Sequence, residues 1–455
     1  MRTEIDLGDN IKSYMQRSVP RYTSYPTAPH FSNNIGPEIY RDWLANLPKA
    51  EPVSLYLHVP FCRQLCWYCG CNMKLATREA PIASYAATLR QEISLVSDAL
   101  PERKTISHLH WGGGTPTSLL PDDFEATMET VLEKFDVADD AELALESDPR
   151  TLTSDMISLA GRLGFTRASF GVQEFDPIVQ AAINRIQPPE MVRECVEEFR
   201  AAGVSGINFD LIYGLPLQTT ETLLKTIDVC IDMRPNRIAL FGYAHVPWVA
   251  KRQRLIDEAA LPDADERLEQ VQASSQALLE AGYVAIGLDH FALPNDPMAQ
   301  MARTGTLRRN FQGYTTDQAD AMLGVGSTSI GRTPNGYVQN LSETGAWARA
   351  IENGQLPIAK GYAFGGQDRM RSYVIEKLMC QSSVNLTDAG RRFGFHGEWY
   401  AEHLRDIQIL ADDGLVQFEH GELTLTEAGR LLVRVVASIF DQYLPASSAR
   451  HAVSV

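Results

Sequence analysis

Three cysteines near residue 60 have a spacing that suits iron–sulfur chemistry. Cys62, Cys66 and Cys69 follow the pattern Cys-x3-Cys-x2-Cys within the segment HVPFCRQLCWYCGC. Three thiolates on one short loop can ligate three irons of a cubane cluster, which leaves the fourth iron with an open coordination position. An open iron can bind a small molecule. The spacing therefore predicts a catalytic 4Fe–4S cluster held by these three residues.

A fourth cysteine, Cys71, leaves a second interpretation open. A structural zinc site uses four protein ligands, usually as two separated pairs, and Cys71 could supply the fourth. Trp67 and Tyr68 favour the cluster, because aromatic side chains suit a shield for a cluster or a stacking surface for a nucleobase. The remaining cysteines are predicted to be plain core residues: Cys195, Cys230 and Cys380.

The composition indicates a globular chain and argues against two classes of partner. The 455 residues are 44% hydrophobic, and 41 Lys and Arg against 57 Asp and Glu give a net charge of −16. Such a charge disfavours a nucleic-acid backbone or an anionic membrane as the main partner. The N-terminus has no signal-peptide pattern, and no run of apolar residues is long enough to span a bilayer. We therefore expect a cytoplasmic protein that binds neither nucleic acid nor membrane. A monomer is a separate expectation that the composition does not address.

Six short β-rich segments alternate with longer amphipathic ones from about residue 50. This alternation predicts an α/β fold with a parallel sheet, either doubly wound or curled into a partial barrel of six β/α units. Chemistry-bearing residues follow the successive strands at their carboxyl ends. This favours the barrel, where those ends converge on one mouth. The predicted strands are 54–61, 106–114, 141–149, 167–173, 206–216 and 237–246.

The chain is predicted to have three parts. Residues 1–50 form an N-terminal extension that covers the active site, and 51–365 form the barrel with substrate-side elaborations. Residues 366–455 form a mostly helical domain whose order of elements resembles a winged helix. From residue 367 onward, 9 Lys and Arg face 12 Asp and Glu. This balance favours a packing or lid role over DNA binding.

Further polar residues stand where a ligand could bind. Glycines precede Thr115 in the segment HWGGGTPT, and glycine lets a backbone approach a ligand closely. Glu146 could accept hydrogen bonds from a ribose or an ammonium group, and Arg185 could pair with a carboxylate. For residues such as these, a binding role and a structural salt bridge are equally open from the sequence alone.

The cysteine pattern after a first strand resembles the radical S-adenosylmethionine superfamily. Beyond it, a set of motifs between about residues 14 and 440 resembles the oxygen-independent coproporphyrinogen III oxidase family. At position 68 that family often has Phe, and Tyr68 keeps the ring. The motifs are RYTSYPTAPHF, PFCRQLCWYCGCNM, HWGGGTPT, SFGVQEFDPIVQAAINRIQ, NFDLIYGLP, YAHVPW, GLDHFALP and RRNFQGYTT.

The resemblance implies a specific reaction. The family converts coproporphyrinogen III to protoporphyrinogen IX by oxidative decarboxylation of two propionates, in haem biosynthesis. It uses one 4Fe–4S cluster and two S-adenosylmethionine molecules per product, with a 5′-deoxyadenosyl radical as the reactive species. An electron donor and an electron acceptor are also required, and the sequence identifies neither.

The resemblance also assigns roles to residues. The first S-adenosylmethionine is expected near Tyr56, Gly113, Glu146 and Ile330. The second is expected near Tyr68, Gly114, Thr115, Gln173, Arg185, Asp210 and Ala244. Catalytic roles are expected for Cys71, Gln312, Tyr56 and Glu146. From charge and position, the candidate propionate contacts are Arg21, Arg308 and Arg309. The aromatic segment 21–31 is expected to pack on the protein and to cover the barrel mouth.

Two alternatives share this scaffold. One is a haem-carrying chaperone, and the other is a radical methyltransferase or haem-ring-opening enzyme. Chaperones of this kind generally lack the fourth cysteine and the long N-terminal segment, both of which are present here. A zinc-bearing winged-helix regulator is a third, more distant alternative.

Overall fold

The computed structural model describes residues 13–444, and the chain divides into two compact units. Among the described residues, the first unit combines 13–30 with Asp263–Thr316 and 364–444. The second unit combines Phe31–Pro262 with Asp317–Ala363. The cysteine loop belongs to the second unit. Of the three predicted parts, residues 1–12 and 445–455 lie outside the described residues.

The strands differ in length between the barrel and its surroundings. In chain order they are β1 (Val53–Val59), β2 (Phe61–Cys62), β3 (Lys74–Leu75), β4 (Thr105–Gly113), β5 (Asp136–Ser147), β6 (Arg167–Gln173), β7 (Gly206–Tyr213), β8 (Arg237–Gly242), β9 (Val284–Ile286), β10 (His290–Ala292), β11 (Arg308–Asn310), β12 (Gly313–Thr315), β13 (Met322–Val325), β14 (Ile330–Thr333), β15 (Gly336–Asn340), β16 (Ile358–Ala363), β17 (Ser383–Asn385), β18 (Val416–Glu419) and β19 (Glu422–Leu425).

Helices follow most of the long strands. In chain order the α-helices are α1 (Pro37–Ala45), α2 (Glu79–Asp98), α3 (Pro121–Lys134), α4 (Ser154–Arg162), α5 (Pro177–Ala182), α6 (Pro189–Ala201), α7 (Thr220–Met233), α8 (Ala264–Glu280), α9 (Pro297–Thr304), α10 (Thr344–Glu352), α11 (Asp368–Gln381), α12 (Leu386–Arg392), α13 (Leu404–Asp412), α14 (Glu427–Leu431) and α15 (Val433–Ser438).

The second unit contains a continuous sheet in the order β16-β15-β14-β13-β1-β4-β5-β6-β7-β8. From β1 to β8 all neighbours are parallel and follow chain order. A doubly wound sheet would reverse its order at a switch point. The uninterrupted order therefore confirms the partial barrel of six β/α units. On the other side of β1, the sheet continues through β13, which pairs in parallel with it, into an antiparallel extension.

Burial explains why these segments form a parallel sheet. In β1, Leu55 and Leu57 are almost fully buried, and only Tyr56 is partly open. Strands that are covered on both faces carry near-continuous apolar runs. The first covering helix, α2, buries a single stripe that includes Ile82, Ala86, Leu89 and Ile93, as expected for an amphipathic helix.

One strand starts earlier than its sequence indicates. β5 begins at Asp136, whereas the apolar pattern predicts a start at residue 141. The first part of β5 carries several acidic residues and is partly exposed. Backbone pairing of Thr105 with Asp136 extends the strand there, and an apolar pattern cannot reveal such pairing.

The first unit contains the C-terminal module. β17, β19 and β18 form an antiparallel sheet beside helices α11 to α15, which agrees with the predicted mostly helical, winged-helix-like order. Tyr22 and Tyr25 are buried in the same core, so the aromatic segment packs as expected. None of the helices in the described part of the chain has the length and apolar character needed to cross a bilayer.

Candidate active site

The cysteine loop is fixed at its base by a short parallel pair of strands. β2 pairs with β3, so that Cys62 lies opposite Leu75. The Ala76 amide donates to the Cys62 carbonyl at 3.0 Å, and the Lys74 amide donates to the Pro60 carbonyl at 2.6 Å. These backbone bonds close a loop that carries the other three cysteines. The pairing of β2 with β3 thus fixes the base of the loop at Cys62.

Each of the three predicted ligand sulfurs faces a polar hydrogen. The Thr115 hydroxyl lies 3.4 Å from Cys62 Sγ. Cys66 Sγ accepts from Arg150 at 3.2 Å and from Arg185 at 3.3 Å. Cys69 Sγ accepts from the Cys71 amide at 3.4 Å. Hydrogen bonds to sulfur stabilise thiolates and are typical of iron–sulfur ligands.

The three sulfurs of this loop form a donor set for a cluster. All seven cysteines are free thiols. Within residues 13–444, no three His, Cys, Asp or Glu side chains are grouped as ligands of one metal ion. In a cubane cluster each thiolate ligates a different iron, so the sulfurs do not need to share one ion. The donor set and the polar hydrogens around it therefore fit a 4Fe–4S cluster on Cys62, Cys66 and Cys69.

The thiol pKa values reflect these surroundings. Burial raises the pKa of Cys62 to about 11. The hydrogen bond between the side chains of Cys69 and Cys71 lowers the pKa of the Cys69 thiol and raises the pKa of the Cys71 thiol. A coordinating metal deprotonates a thiol. Bound iron would therefore overcome the effect of burial on Cys62.

The glycines at the end of β4 are required by close neighbours. A Cβ at Gly114 would lie 2.7 Å from the Phe61 carbonyl oxygen, and one at Gly112 would lie 2.8 Å from a Glu146 oxygen. Gly113 has φ of +116°, a region that favours glycine. The Gly114 amide donates to the Val59 carbonyl at 2.8 Å. The run thus holds the end of β4 against the start of the cysteine loop.

Glu146 lies at the centre of a first polar group. It accepts from the Gly113 amide at 3.1 Å, and its other oxygen lies 3.1 Å from His110 Nε2. The His110 ring stacks on Tyr56, whose hydroxyl lies 3.0 Å from His58 Nδ1. Burial lowers the pKa of His58 to about 4, which keeps this imidazole neutral at pH 7.

A second polar group surrounds Tyr68. Its carbonyl accepts from Gln253 at 2.7 Å, and the same amide donates to the Ala244 carbonyl at 3.1 Å. Burial raises the pKa of the Tyr68 hydroxyl, although the positive charge of Arg185 opposes the shift. Arg185 also pairs with Asp148 at 3.4 Å. This group links the middle of the cysteine loop to the ends of β6 and β8.

The remaining predicted residues have the following positions. Gln173 ends β6 in a left-handed conformation with φ of 68°. Burial, reinforced by the Glu146 charge, raises the pKa of Asp210 on β7 to about 7. Ile330 begins β14, and its carbonyl lies against Gly324. Gln312 lies in the first unit, between β11 and β12.

The candidate propionate contacts belong to the first unit and already bind protein groups. Arg308 Nε donates to Glu376 at 2.8 Å. Arg309 donates to the carbonyls of Tyr22 and Arg21, both at 3.3 Å. Their assignment to propionates stays a prediction.

Several site residues escaped the sequence reasoning. His58 and His110 lie within β1 and β4 and appear in the sequence as ordinary strand residues. Asp148 and Arg150 follow Glu146 in the segment ESDPR. Residues two apart along a strand point to the same face, so the position of Asp148 two residues after Glu146 was the pattern that could have indicated it. No sequence pattern indicated Gln253, since its side chain contacts only backbone groups, namely the carbonyls of Tyr68 and Ala244 and the Val246 amide.

Comparison with known proteins agrees with this geometry. The Radical SAM superfamily matches residues 56–230, which span β1 to α7 and include the cysteine loop. The superfamily is defined by a cluster and by S-adenosylmethionine. The matched segment contains the first polar group and, of the second, Tyr68, Asp148 and Arg185.

Similar proteins extend the match to almost the whole chain. The oxygen-independent coproporphyrinogen III oxidase of Bradyrhizobium diazoefficiens is 48% identical over 97% of this chain and 98% of its own length. The enzyme of the same name from Paracoccus denitrificans is 41% identical over 95% of this chain and 96% of its own length. The solved structure of coproporphyrinogen III oxidase (HemN) from Escherichia coli, described as a radical SAM enzyme, superposes with a TM-score of 0.89 at 35% identity, covering 94% of this chain and 100% of that one. This chain therefore belongs to the oxygen-independent coproporphyrinogen III oxidase family.

Proposed function

We propose that this protein oxidatively decarboxylates coproporphyrinogen III to protoporphyrinogen IX without oxygen. The observation that carries the proposal is the loop with Cys62, Cys66 and Cys69, whose sulfurs all face polar hydrogens. That loop lies in a chain 48% identical to a coproporphyrinogen III oxidase over 97% of its length. The relatives' activity supplies the substrate, and the loop supplies the chemistry that such an activity requires.

Two S-adenosylmethionine sites are part of the proposal. The first is formed around Tyr56, Gly113, Glu146 and Ile330. Glu146 already accepts from a backbone amide and from His110, and 39% of its side chain remains exposed. That open face can accept hydrogen bonds from a ribose or an amino group. Tyr56 stacks on His110 at 5.9 Å and limits the movement of the histidine.

The second site is formed on the other side of the loop. Its residues are Tyr68, Gly114, Thr115, Gln173, Arg185, Asp210 and Ala244. Arg185 supplies a planar guanidinium that suits a carboxylate, and Tyr68 supplies a ring that suits a nucleobase. Gln253 holds the backbones of Tyr68 and Ala244 in fixed positions.

The reaction divides between the bound groups and the protein. When bound, the cluster and S-adenosylmethionine supply a 5′-deoxyadenosyl radical, which takes one hydrogen atom from each of two propionates so that CO2 and one electron leave. The protein's residues orient the reactants: Glu146 and Arg185 hold opposite ends of the site, and neutral His58 keeps Tyr56 hydrogen-bonded. The electron balance would also require a donor for the cluster and a separate acceptor for the electrons that the substrate would lose.

Anaerobic turnover tests the proposal. The reconstituted protein is incubated with coproporphyrinogen III, S-adenosylmethionine, a reductant and an acceptor. We expect two CO2 and two 5′-deoxyadenosine per protoporphyrinogen IX. Methyl transfer to the substrate would indicate a methyltransferase, and haem retention without turnover would indicate a chaperone. Either result would contradict the proposal.

Cys71 and Gln312 are proposed as further catalytic residues. Cys71 contacts Cys69 through its backbone amide, which a serine at position 71 would retain, and through its side chain, where a serine hydroxyl can still donate. Cys71→Ser should therefore keep wild-type iron content while turnover falls, and Gln312→Ala should behave in the same way. Loss of iron in Cys71→Ser would instead support its role as a fourth ligand.

A further inference from the structure

Arg150 folds back from the end of β5 onto its own neighbour and onto the cysteine loop. Its Nε and Nη2 donate to the two oxygens of Asp148 at 2.9 and 2.6 Å. Nη2 also donates to Cys66 Sγ at 3.2 Å. The Arg150 side chain is only 4% exposed, and that of Asp148 is 9% exposed. A fixed carboxylate therefore aims a buried guanidinium at one cluster ligand.

A second arginine approaches the same two groups. Arg185 donates to Cys66 Sγ at 3.3 Å and pairs with Asp148 at 3.4 Å, with 6% of its side chain exposed. Two buried positive charges thus share one buried carboxylate. Burying a positive charge costs free energy unless an anion lies beside it. The surplus positive charge points at the Cys66 sulfur, so a thiolate on the cluster is the anion that this arrangement suits.

The other two cluster ligands lack this feature. Cys62 contacts the neutral Thr115 hydroxyl, and Cys69 contacts the neutral Cys71. The charges of Arg252 and Arg185 also act on Cys69, but neither guanidinium donates to its sulfur in the described part of the chain. Hydrogen bonds to sulfur, net charge and burial set the reduction potential of an iron–sulfur cluster. Because reduction adds one negative charge, a buried cation beside a ligand favours the reduced state.

We propose that Arg150, oriented by Asp148, raises the reduction potential of the cluster through its charged hydrogen bond to Cys66. The proposal rests on the cluster proposed above. It makes Arg150 a positioning and tuning residue that touches a cluster ligand rather than the substrate. Arg185 adds to the effect, but it is also proposed to bind S-adenosylmethionine, so Arg150 is the residue whose redox role can be separated.

A potentiometric titration followed by electron paramagnetic resonance tests the tuning. It uses the full-length, anaerobically reconstituted protein without S-adenosylmethionine, so that changes in cofactor binding cannot contribute. Arg150→Met removes the charge and the N–H donor. At a fixed potential we expect about a ten-fold lower ratio of reduced to oxidised cluster, equivalent to about 59 mV for one electron. Asp148→Asn removes a negative charge and should shift the potential in the opposite direction.

Two further variants control for indirect effects. Arg150→Lys keeps the charge, and its potential should lie between those of the wild type and Arg150→Met. Arg167→Met removes a similarly buried arginine, which pairs with Glu142 at 3.1 Å, and should leave the potential unchanged. Iron and sulfide content are measured for every variant.

Several outcomes would overturn the proposal. Unchanged potentials in Arg150→Met and Asp148→Asn at wild-type iron content would do so, and so would shifts of the same sign in both. Loss of iron in Arg150→Met, with normal iron in Arg167→Met, would assign Arg150 to cluster assembly instead of tuning. A wild-type protein that takes up no cluster would contradict the proposed function itself, and this inference with it.

Discussion

The second unit contains two buried groups of one carboxylate between two arginines, at opposite ends of the strands. Near the amino ends, Glu142 on β5 pairs with Arg167 on β6 at 3.1 Å and with Arg237 on β8 at 3.2 Å. Near the carboxyl ends, Asp148 pairs with Arg150 and Arg185. The residue types are the same, but the partners that complete the two groups are different.

The amino-end group is completed by other side chains of the barrel. Arg167 also donates to Asn208 at 2.8 Å. The two guanidiniums and His108 outweigh the effect of burial and lower the pKa of Glu142 to about 2. The carboxyl-end group is instead completed by the sulfur of Cys66. In barrels of this kind the carboxyl ends hold the active site and the amino ends hold the structure together. The comparison shows one electrostatic device used for stability at one end and for chemistry at the other.

Removal of the Cys66 sulfur, which completes the carboxyl-end group, should have the largest measurable effect. We expect Cys66→Ser to lose the cluster and all turnover, because two ligands cannot hold three irons. The measurements are iron content, the visible absorption of the cluster and 5′-deoxyadenosine formation. Cys195→Ser, at a buried cysteine on α6, is the matched control and should keep all three. Normal iron in Cys66→Ser would remove the distinction between the two groups.

The carboxylate of the amino-end group should contribute to the free energy of unfolding and not to the cluster potential. Glu142→Gln leaves two buried guanidiniums without an anion, and we expect unfolding free energy at pH 7 to fall by about 3 kcal/mol. Urea denaturation of the protein measures this loss. The cluster potential of the same variant should equal that of the wild type. A shifted potential would show that the two ends are coupled and would break the comparison.

The contribution of Glu142 should also depend on pH in a defined direction. Its pKa is about 2 in the folded protein, below the ordinary 4.5, so the unfolded chain binds more protons between these values. Its stabilisation is therefore present above about pH 5 and is lost as pH falls towards 2. On acidification the wild type should lose about 3 kcal/mol more than Glu142→Gln. Equal acid sensitivity of the two proteins in urea titrations would contradict this.

The smallest effect concerns a neutral donor to sulfur. Thr115→Val removes the hydroxyl near Cys62 while keeping the shape of the side chain. The ratio of reduced to oxidised cluster should fall by about three-fold or less at a fixed potential, because neutral hydrogen bonds are weaker than charged ones. Thr117→Val, at a buried hydroxyl without a hydrogen-bond partner, is the control. A larger shift in Thr115→Val than in Arg150→Met would reverse the order proposed here.

The sequence was sufficient for the order of the parallel strands and for the cysteine loop. Both depend on local patterns: β/α alternation for the strands and cysteine spacing for the loop. The sequence also revealed the glycine run, but not why glycine is needed there. A Cβ at position 114 would lie 2.7 Å from the Phe61 carbonyl oxygen, and only the structure shows this contact. The pairing of Glu146 with His110 depends on the register of β4 against β5, which no local pattern specifies.

The partners of the other site residues could not be predicted, because they come from segments far apart in the sequence. Arg308 was proposed as a propionate contact from its charge, yet it pairs with Glu376, 68 residues away along the chain. Asp148 and Arg150 lie close to Glu146 in the sequence, but the hydrogen bond from Arg150 to Cys66 spans 84 residues. Contacts of this kind depend on the tertiary structure of each unit, which no local pattern specifies.

The short pairing of β2 with β3 has a consequence for the cysteine loop after exposure of the protein to air. The loop is tied by backbone hydrogen bonds at Cys62 and Ala76, outside the thiols themselves. Oxygen can dissolve a cluster without removing those ties. We therefore expect damage by air to leave an intact template that iron and sulfide can refill, so that repair of the centre requires no refolding of the chain.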